Sequence, residues 1–296
     1  MAGFLIYTAF WVKINSVKYM KIRTDLISEC TADAPDIKGI KCIEENISDT
    51  KLSFVEVLDT DAAEKLGKLV GKYCTIEYER LDRIANTDNL TKALVSALKK
   101  LCPETVGTAL VVGLGNTDIT PDALGPFTAN KILATRHLSD DFKKTLGLED
   151  LRSVCAIIPG VLGKTGIEAF DLISAAISEI KPSLIIAVDA LAARSADRLC
   201  RTIQLSDSGI CPGSGVNNAR HELSERTFSV PVIALGIPTV IDANSLLPQG
   251  DKTQDNMMVT PKDIDLLIGK SAAVLSRALN IFLQPALDTD VIDSLT

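Results

Sequence analysis

Two aspartates stand where this chain could do chemistry. The first, Asp122, lies in a glycine-rich run, Gly113-Leu114-Gly115-Asn116-Thr117-Asp118-Ile119-Thr120-Pro121-Asp122-Ala123-Leu124-Gly125-Pro126, directly after the apolar stretch Ala109-Leu110-Val111-Val112. Glycines there let the backbone turn sharply and approach a ligand closely, which marks Gly113, Gly115 and Asn116 as candidates for shaping a substrate site. The second, Asp189, follows Leu184-Ile185-Ile186-Ala187-Val188. Two carboxylates brought together do not both ionise easily, so one keeps a proton while the other stays charged. Such a pair can take a proton from an attacking water and give one to a leaving amine. Each acid also has a plainer reading. Asp122 follows Thr120-Pro121 and would complement a helix N-terminus, and Asp189 would cap a helix running from Ala190 to Ser195.

Other chemistries have less material. The glycine run has neither G-x-G-x-x-G nor the Lys-Ser/Thr ending of a phosphate loop. Asp207-Ser208-Gly209 spells the signature of pepsin-like proteases, but those are mostly β proteins. The turn-forming run from Asp207 to Asn218 offers backbone N–H groups to a substrate, with Gly213, Ser214 and Gly215 at its centre; a plain structural turn is the alternative. Ser214 has no G-x-S-x-G elbow and no histidine partner in sequence. The two histidines, His137 and His221, share no ligand spacing, and neither follows an apolar strand-like run, so no metal and no cofactor is expected. Seven cysteines without a C-x-x-C pair point to reduced thiols.

The elements that must position the acids can be read from periodicity. Apolar runs at 109–112, 154–158, 184–188 and 232–235, separated by helical patterns, predict a parallel sheet covered by helices on both faces. Ligands bind beyond the carboxyl ends of strands in such sheets, which is where both acids fall. Upstream, strands over 53–58 and 73–78 around a helix over 61–70, closed by Gly71, predict an added α/β module. A helix over 90–101 ends before Pro103. A last long helix should start at Thr260-Pro261, with Thr260 as cap and an apolar stripe of Ile264, Leu267, Ile268, Leu275 and Leu279.

At 296 residues and 46% apolar composition the chain can bury one large α/β core with insertions. Its 31 basic against 38 acidic residues, a net charge of −7, argue against direct nucleic-acid binding. The apolar Met1 to Val12 run stops at Lys13, short of the roughly 20 residues a membrane-spanning helix needs, so no membrane association is expected. It also lacks the basic flank and small-residue cleavage pattern of a signal peptide, and a cytoplasmic protein is expected.

The runs Gly113 to Pro126, Pro159 to Glu168, Asp189 to Ser195, Thr202 to Asn218 and Pro231 to Ala243 closely resemble the germination proteases of spore-forming bacteria. Gly67-Lys68, Gly71-Lys72-Tyr73 and Val259-Thr260-Pro261-Lys262 extend the likeness over most of the chain. The resemblance implies an endopeptidase of atypical aspartic type with Asp122 and Asp189 as its essential acids, and a fold like that of the hydrogenase maturation proteases. It further implies a homotetramer made as a zymogen, acting at germination on small acid-soluble spore proteins in the developing forespore and spore core. The family's processing site resembles its substrates' cleavage motif, and Arg23-Thr24-Asp25-Leu26-Ile27-Ser28-Glu29 lies where that site should be. Cleavage between Asp25 and Leu26 is therefore expected, dividing a pro-segment (1–25, or from Met20 if the chain starts there) from one protease domain (26–296). The chain departs from the family at Ile27, where a small residue is usual, and at Asn217-Asn218, where Gly-Asn is usual. Two alternatives remain: a metal-dependent endopeptidase of the hydrogenase-maturation type, and a binding module that grips spore proteins without cutting them.

Overall fold

A computed structural model describes residues 24–33, 37–48, 50–145, 147–212, 221–247 and 257–296. Among the described residues nine strands form one sheet: β1 (Ile40–Ile47), β2 (Thr50–Val57), β3 (Gly71–Glu77), β4 (Ala109–Gly113), β5 (Val154–Ile157), β6 (Leu184–Ala193), β7 (Thr202–Ser206), β8 (Val232–Asp242) and β9 (Met258–Val259). Their order is β1-β2-β3-β7-β8-β6-β4-β5, with β9 on β8. Strands β5, β4, β6 and β8 run parallel. The added module extends this same sheet through antiparallel pairs, with β7 as the joint.

The all-apolar strands are buried on both faces because each side chain meets a helix layer. Ala109 and Val111 of β4 join a core with α3 (Asp88–Leu101) and α9 (Ile264–Leu283), where Leu90, Leu94, Leu98 and Leu267, Leu275, Leu279 supply the helical stripes. Leu110 and Val112 point the other way, to Ala169 and Ile173 of α7 (Ala169–Ile180). Two short helices, α1 (Ile27–Ala32) and α2 (Thr60–Leu66), cover β2 and β3 on that second face. The remaining helices are short: α4 (Leu124–Ala129), α5 (Asp140–Thr145), α6 (Leu162–Thr165), α8 (Glu225–Phe228) and α10 (Thr289–Leu295). Helix α9 is long and apolar enough to cross a membrane, yet most of that apolar stretch is buried inside the protein.

Three local expectations are corrected. Helix α2 ends at Gly67, which takes φ +64°, four residues before Gly71. Helix α9 begins at Ile264, because the Thr260 hydroxyl donates to the Thr239 carbonyl at 2.8 Å and ties the chain to β8 instead of capping a helix. Most consequential, no helix follows Asp189. Strand β6 runs on to Ala193, since Asp189 to Ala193 keep pairing with β8. Asp189 is thus a mid-strand residue and not a helix cap.

Candidate functional site

The turn carrying Asp122 is pinned to the strand carrying Asp189. Leu114 N donates to the Val188 carbonyl at 2.8 Å. A Cβ on Gly125 would lie 2.4 Å from that same oxygen, and one on Gly113 would lie 2.4 Å from the Gly125 carbonyl, so only glycines permit this packing. Gly115 has φ +121°, and a Cβ there would sit 1.9 Å from the Asp122 carbonyl oxygen. Asn116 N donates to that oxygen at 3.1 Å, and Asn116 Oδ1 accepts from Asp118 N at 3.0 Å. Gly113, Gly115 and Asn116 thereby set the place of Asp122, at the end of the 3-10 turn Thr120–Asp122.

Asp122 and the buried Asp189 line one cavity of about 470 Å³. Its walls are largely apolar, with Leu114, Ile119, Val161, Phe170, Leu191 and Val240 among them. Asp25 lines the same cavity and also a neighbouring one of about 760 Å³ that reaches Lys68, Gln204 and Asp207. Gly213, Ser214 and Gly215 lie outside the described residues, as do residues 1–23 of the expected pro-segment.

Residues Thr24 to Glu29 are threaded across this site. Beyond Gly113, the last β4 residue to pair with it, β6 has an edge not taken by β4. There Asp25 N donates to the Ala192 carbonyl at 2.9 Å, while Ala192 N donates to Asp25 Oδ2 at 2.8 Å. Gln204 spans the next residue: Nε2 donates to the Asp25 carbonyl at 2.7 Å, and Oε1 accepts from Ile27 N at 2.6 Å. Lys68 Nζ donates to the Thr24 carbonyl at 3.0 Å. Leu26 is fully buried beside Leu191 and Ala193, and Ile27 packs among Val55, Val57 and Ala62. The Glu29 carboxylate is buried and accepts from the backbone N–H groups of Arg194 and Ser195, each at 2.8 Å, and from the Thr24 hydroxyl. The Arg194 guanidinium donates to the Glu29 carbonyl at 2.9 Å and pairs with Asp33.

Sequence reasoning missed Gln204, Lys68 and Arg194 as parts of this site. Their partners lie 44 to 179 residues away in sequence, so no local pattern could reveal them. It also missed His221, which lines the cavity and packs its ring against Phe170 at 4.9 Å between centroids. Among the described residues no three His, Cys, Asp or Glu side chains converge as metal ligands would. The pepsin-like signature is engaged elsewhere, for Asp207 Oδ1 accepts from Lys72 N at 2.6 Å in the neighbouring cavity. Burial pushes the Asp207 carboxyl up, with the Lys72 N–H working against it.

Fold and site together define an α/β protein with Asp122 and Asp189 in one cleft, beside a segment of its own chain. The family model described as germination protease matches residues 17–252. A germination protease of Clostridium tetani is 37% identical over 93% of this chain and 99% of its own, and one of Caldanaerobacter subterraneus is 38% identical over 90% and 95%. A germination protease of Geobacillus sp. is 46% identical over 72% of this chain and 58% of its own. Among solved structures, a [NiFe] hydrogenase maturation protease, HycI from Thermococcus kodakarensis, matches with TM-score 0.39 and 15% identity over 64% of this chain and 98% of that one. The chain belongs to the germination protease family and is a peptidase.

Proposed function

We propose that this peptidase is an endopeptidase of aspartic type, made as a zymogen, that cuts its own Asp25–Leu26 bond and then small acid-soluble spore proteins. The observation that carries this reading is that Asp25 lines the cavity lined by Asp122 and Asp189. In the proposed step one carboxylate takes a proton from a water whose oxygen attacks the Asp25 carbonyl carbon. The other, protonated, carboxyl gives its proton to the Leu26 nitrogen as the C–N bond breaks. The products are a carboxylate at Asp25 and a free amine at Leu26. A largely apolar wall suits such a pair, since burial favours the state in which one carboxyl stays neutral. Action in the forespore cytoplasm and spore core, and assembly as a homotetramer, complete the proposal; light scattering of the purified protein tests the latter.

The test is incubation of the full chain at mildly acidic pH with a small acid-soluble spore protein, following both by intact mass. A new N-terminus at Leu26 and a discrete substrate cut are expected. Asp122→Asn and Asp189→Asn should fold normally and lose both cuts by at least the 10²-fold scale of a general acid–base group. Wild-type turnover by either variant would sink the pair assignment. A metal-dependent alternative draws its support from His221 on the cavity wall, although the described donors do not fit a metal. A chelator that stops processing, reversed by added nickel, would favour it.

A further inference from the structure

Asp189 and Gln204 are both in register with Gly236, one on each neighbouring strand. Residues in register across a sheet send their side chains to the same face, so the acid and the amide stand on one face, two strand spacings or roughly 9.6 Å apart at their backbones. Gly236 between them contributes no side chain, and the Leu191 side chain packs over it: a Cβ there would lie 2.6 Å from Leu191 Cγ. The segment Asp25 to Ile27 is held over this face by one hydrogen bond donated by Gln204 Nε2 and one accepted by its Oε1. The donor of that pair is aimed at the carbonyl oxygen of Asp25, whose carbon belongs to the bond proposed for cleavage.

We propose that Gln204 is a further catalytic residue, its carboxamide N–H stabilising the oxyanion that forms on the Asp25 carbonyl oxygen. As the water oxygen bonds to the carbonyl carbon, the C=O π pair moves onto that oxygen and Gln204 Nε2 meets the new charge. When the pair returns, the C–N bond to Leu26 breaks and the nitrogen takes its proton from the carboxyl. The carboxamide is preorganised for this, because Oε1 is engaged by Ile27 N at 2.6 Å and only 8% of the residue is exposed. A donor fixed before the reaction costs no reorganisation during it, and removing one such donor typically slows a reaction on the order of 10²–10³-fold. Sequence offers no sign of this role, since Gln204 lies 179 residues from Asp25.

The inference rests on the proposed cleavage at Asp25–Leu26, and its test separates the two. When ionised, the carboxyl of Gln204→Glu keeps an oxygen acceptor for Ile27 N and has no donor, so this variant is also followed at pH above its titration; Gln204→Met removes both groups. Full-length wild type, both variants and Asp189→Asn are incubated together in design and condition, with appearance of the Leu26 N-terminus timed by intact mass. Hydrogen exchange at the Ile27 amide reports whether the segment stays seated. Expected is a 10²–10³-fold slower cut in Gln204→Glu with Ile27 still protected. A wild-type rate in Gln204→Glu, with Asp189→Asn inactive, overturns the role of Gln204 and leaves the aspartate reading standing. A slow Gln204→Glu whose Ile27 amide exchanges freely also overturns it, in favour of a purely seating role. Absence of any cut at Leu26 in the wild type, or a wild-type rate in Asp189→Asn, overturns both.

Discussion

Replacing Gly115 by alanine should disable the site while leaving both aspartates in the sequence. The added Cβ would lie 1.9 Å from the Asp122 carbonyl oxygen and 3.2 Å from Asp122 Oδ1, while ordinary contact starts at 3.4 Å. The two backbones must therefore part by about 1.5 Å, given that contacting heavy atoms rest roughly 3.5 Å or more apart. Misplacing a reacting group by about 1 Å costs on the order of 10²-fold in rate, so self-processing should slow by at least that factor. Alanine at φ +121° also adds backbone strain of roughly 1–3 kcal/mol, readable as a lower urea midpoint. The control is Gly163→Ala in α6, where a Cβ meets nothing within 4 Å; it should process at the wild-type rate. Timed intact-mass spectra of the three proteins decide the matter. A Gly115→Ala protein that cuts within a few-fold of wild type would refute the argument that this glycine fixes the position of Asp122.

Two further outcomes follow from groups outside the cleft chemistry. Burial raises the Asp207 carboxyl above its ordinary value of 3.8, so the folded state holds that proton to higher pH than the unfolded chain does. Its contribution to stability is fully present below about pH 3.8 and is lost as pH rises through the folded value. The melting-temperature gain of Asp207→Asn over wild type should accordingly be larger at pH 7 than at pH 3; a gain that shrinks with rising pH contradicts this. Asn280, 1% exposed on α9, accepts from Leu133 N and donates to the Lys131 carbonyl, both at 2.9 Å. Asn280→Ala leaves two backbone groups without those partners, at about 1–3 kcal/mol each, and should shift the urea unfolding midpoint well below wild type. An unchanged midpoint would show that water replaces the side chain.

The strands nearest the acids were legible because a parallel strand buried on both faces must be apolar at every position, as Ala109 to Val112 and Leu184 to Val188 are. Beyond Val188 the signal fails. Asp189-Ala190-Leu191-Ala192-Ala193 reads as helix by local propensity, and only pairing to β8, some 47 residues on, makes it strand. Strand β1 was missed for the opposite reason: as an edge strand it exposes Lys41, Cys42, Ile43 and Glu44 in succession, and so shows no alternation. The two acids could be picked out because each follows a strand-like run. The clamp on Thr24 to Glu29 could not, since a carboxamide, a lysine and two backbone N–H groups become a binding surface only once β6, β7 and α2 are assembled.

That clamp makes the proposed cut asymmetric. Upstream of the bond, the hold is polar: Asp25 on the β6 edge, Gln204 on the Asp25 carbonyl, and Lys68 on the Thr24 carbonyl. Downstream, Leu26 and Ile27 are fully buried, which contributes roughly 1.5–3 kcal/mol each, and the Glu29 carboxylate is held by the Arg194 and Ser195 backbone N–H groups. Cleavage would turn the neutral Asp25 carbonyl into a second carboxylate on a residue that already faces Asp122 and Asp189. Like charges lining one cavity repel, and this new charge acts on the upstream side, which polar contacts hold. On the proposed reading, then, hydrolysis itself loosens the upstream piece while the downstream piece stays. A second polypeptide could reach Gln204 and the β6 edge in the same manner only by displacing Leu26 to Glu29. The same contacts that present the chain's own bond would therefore hold back its action on others until α1 lets go.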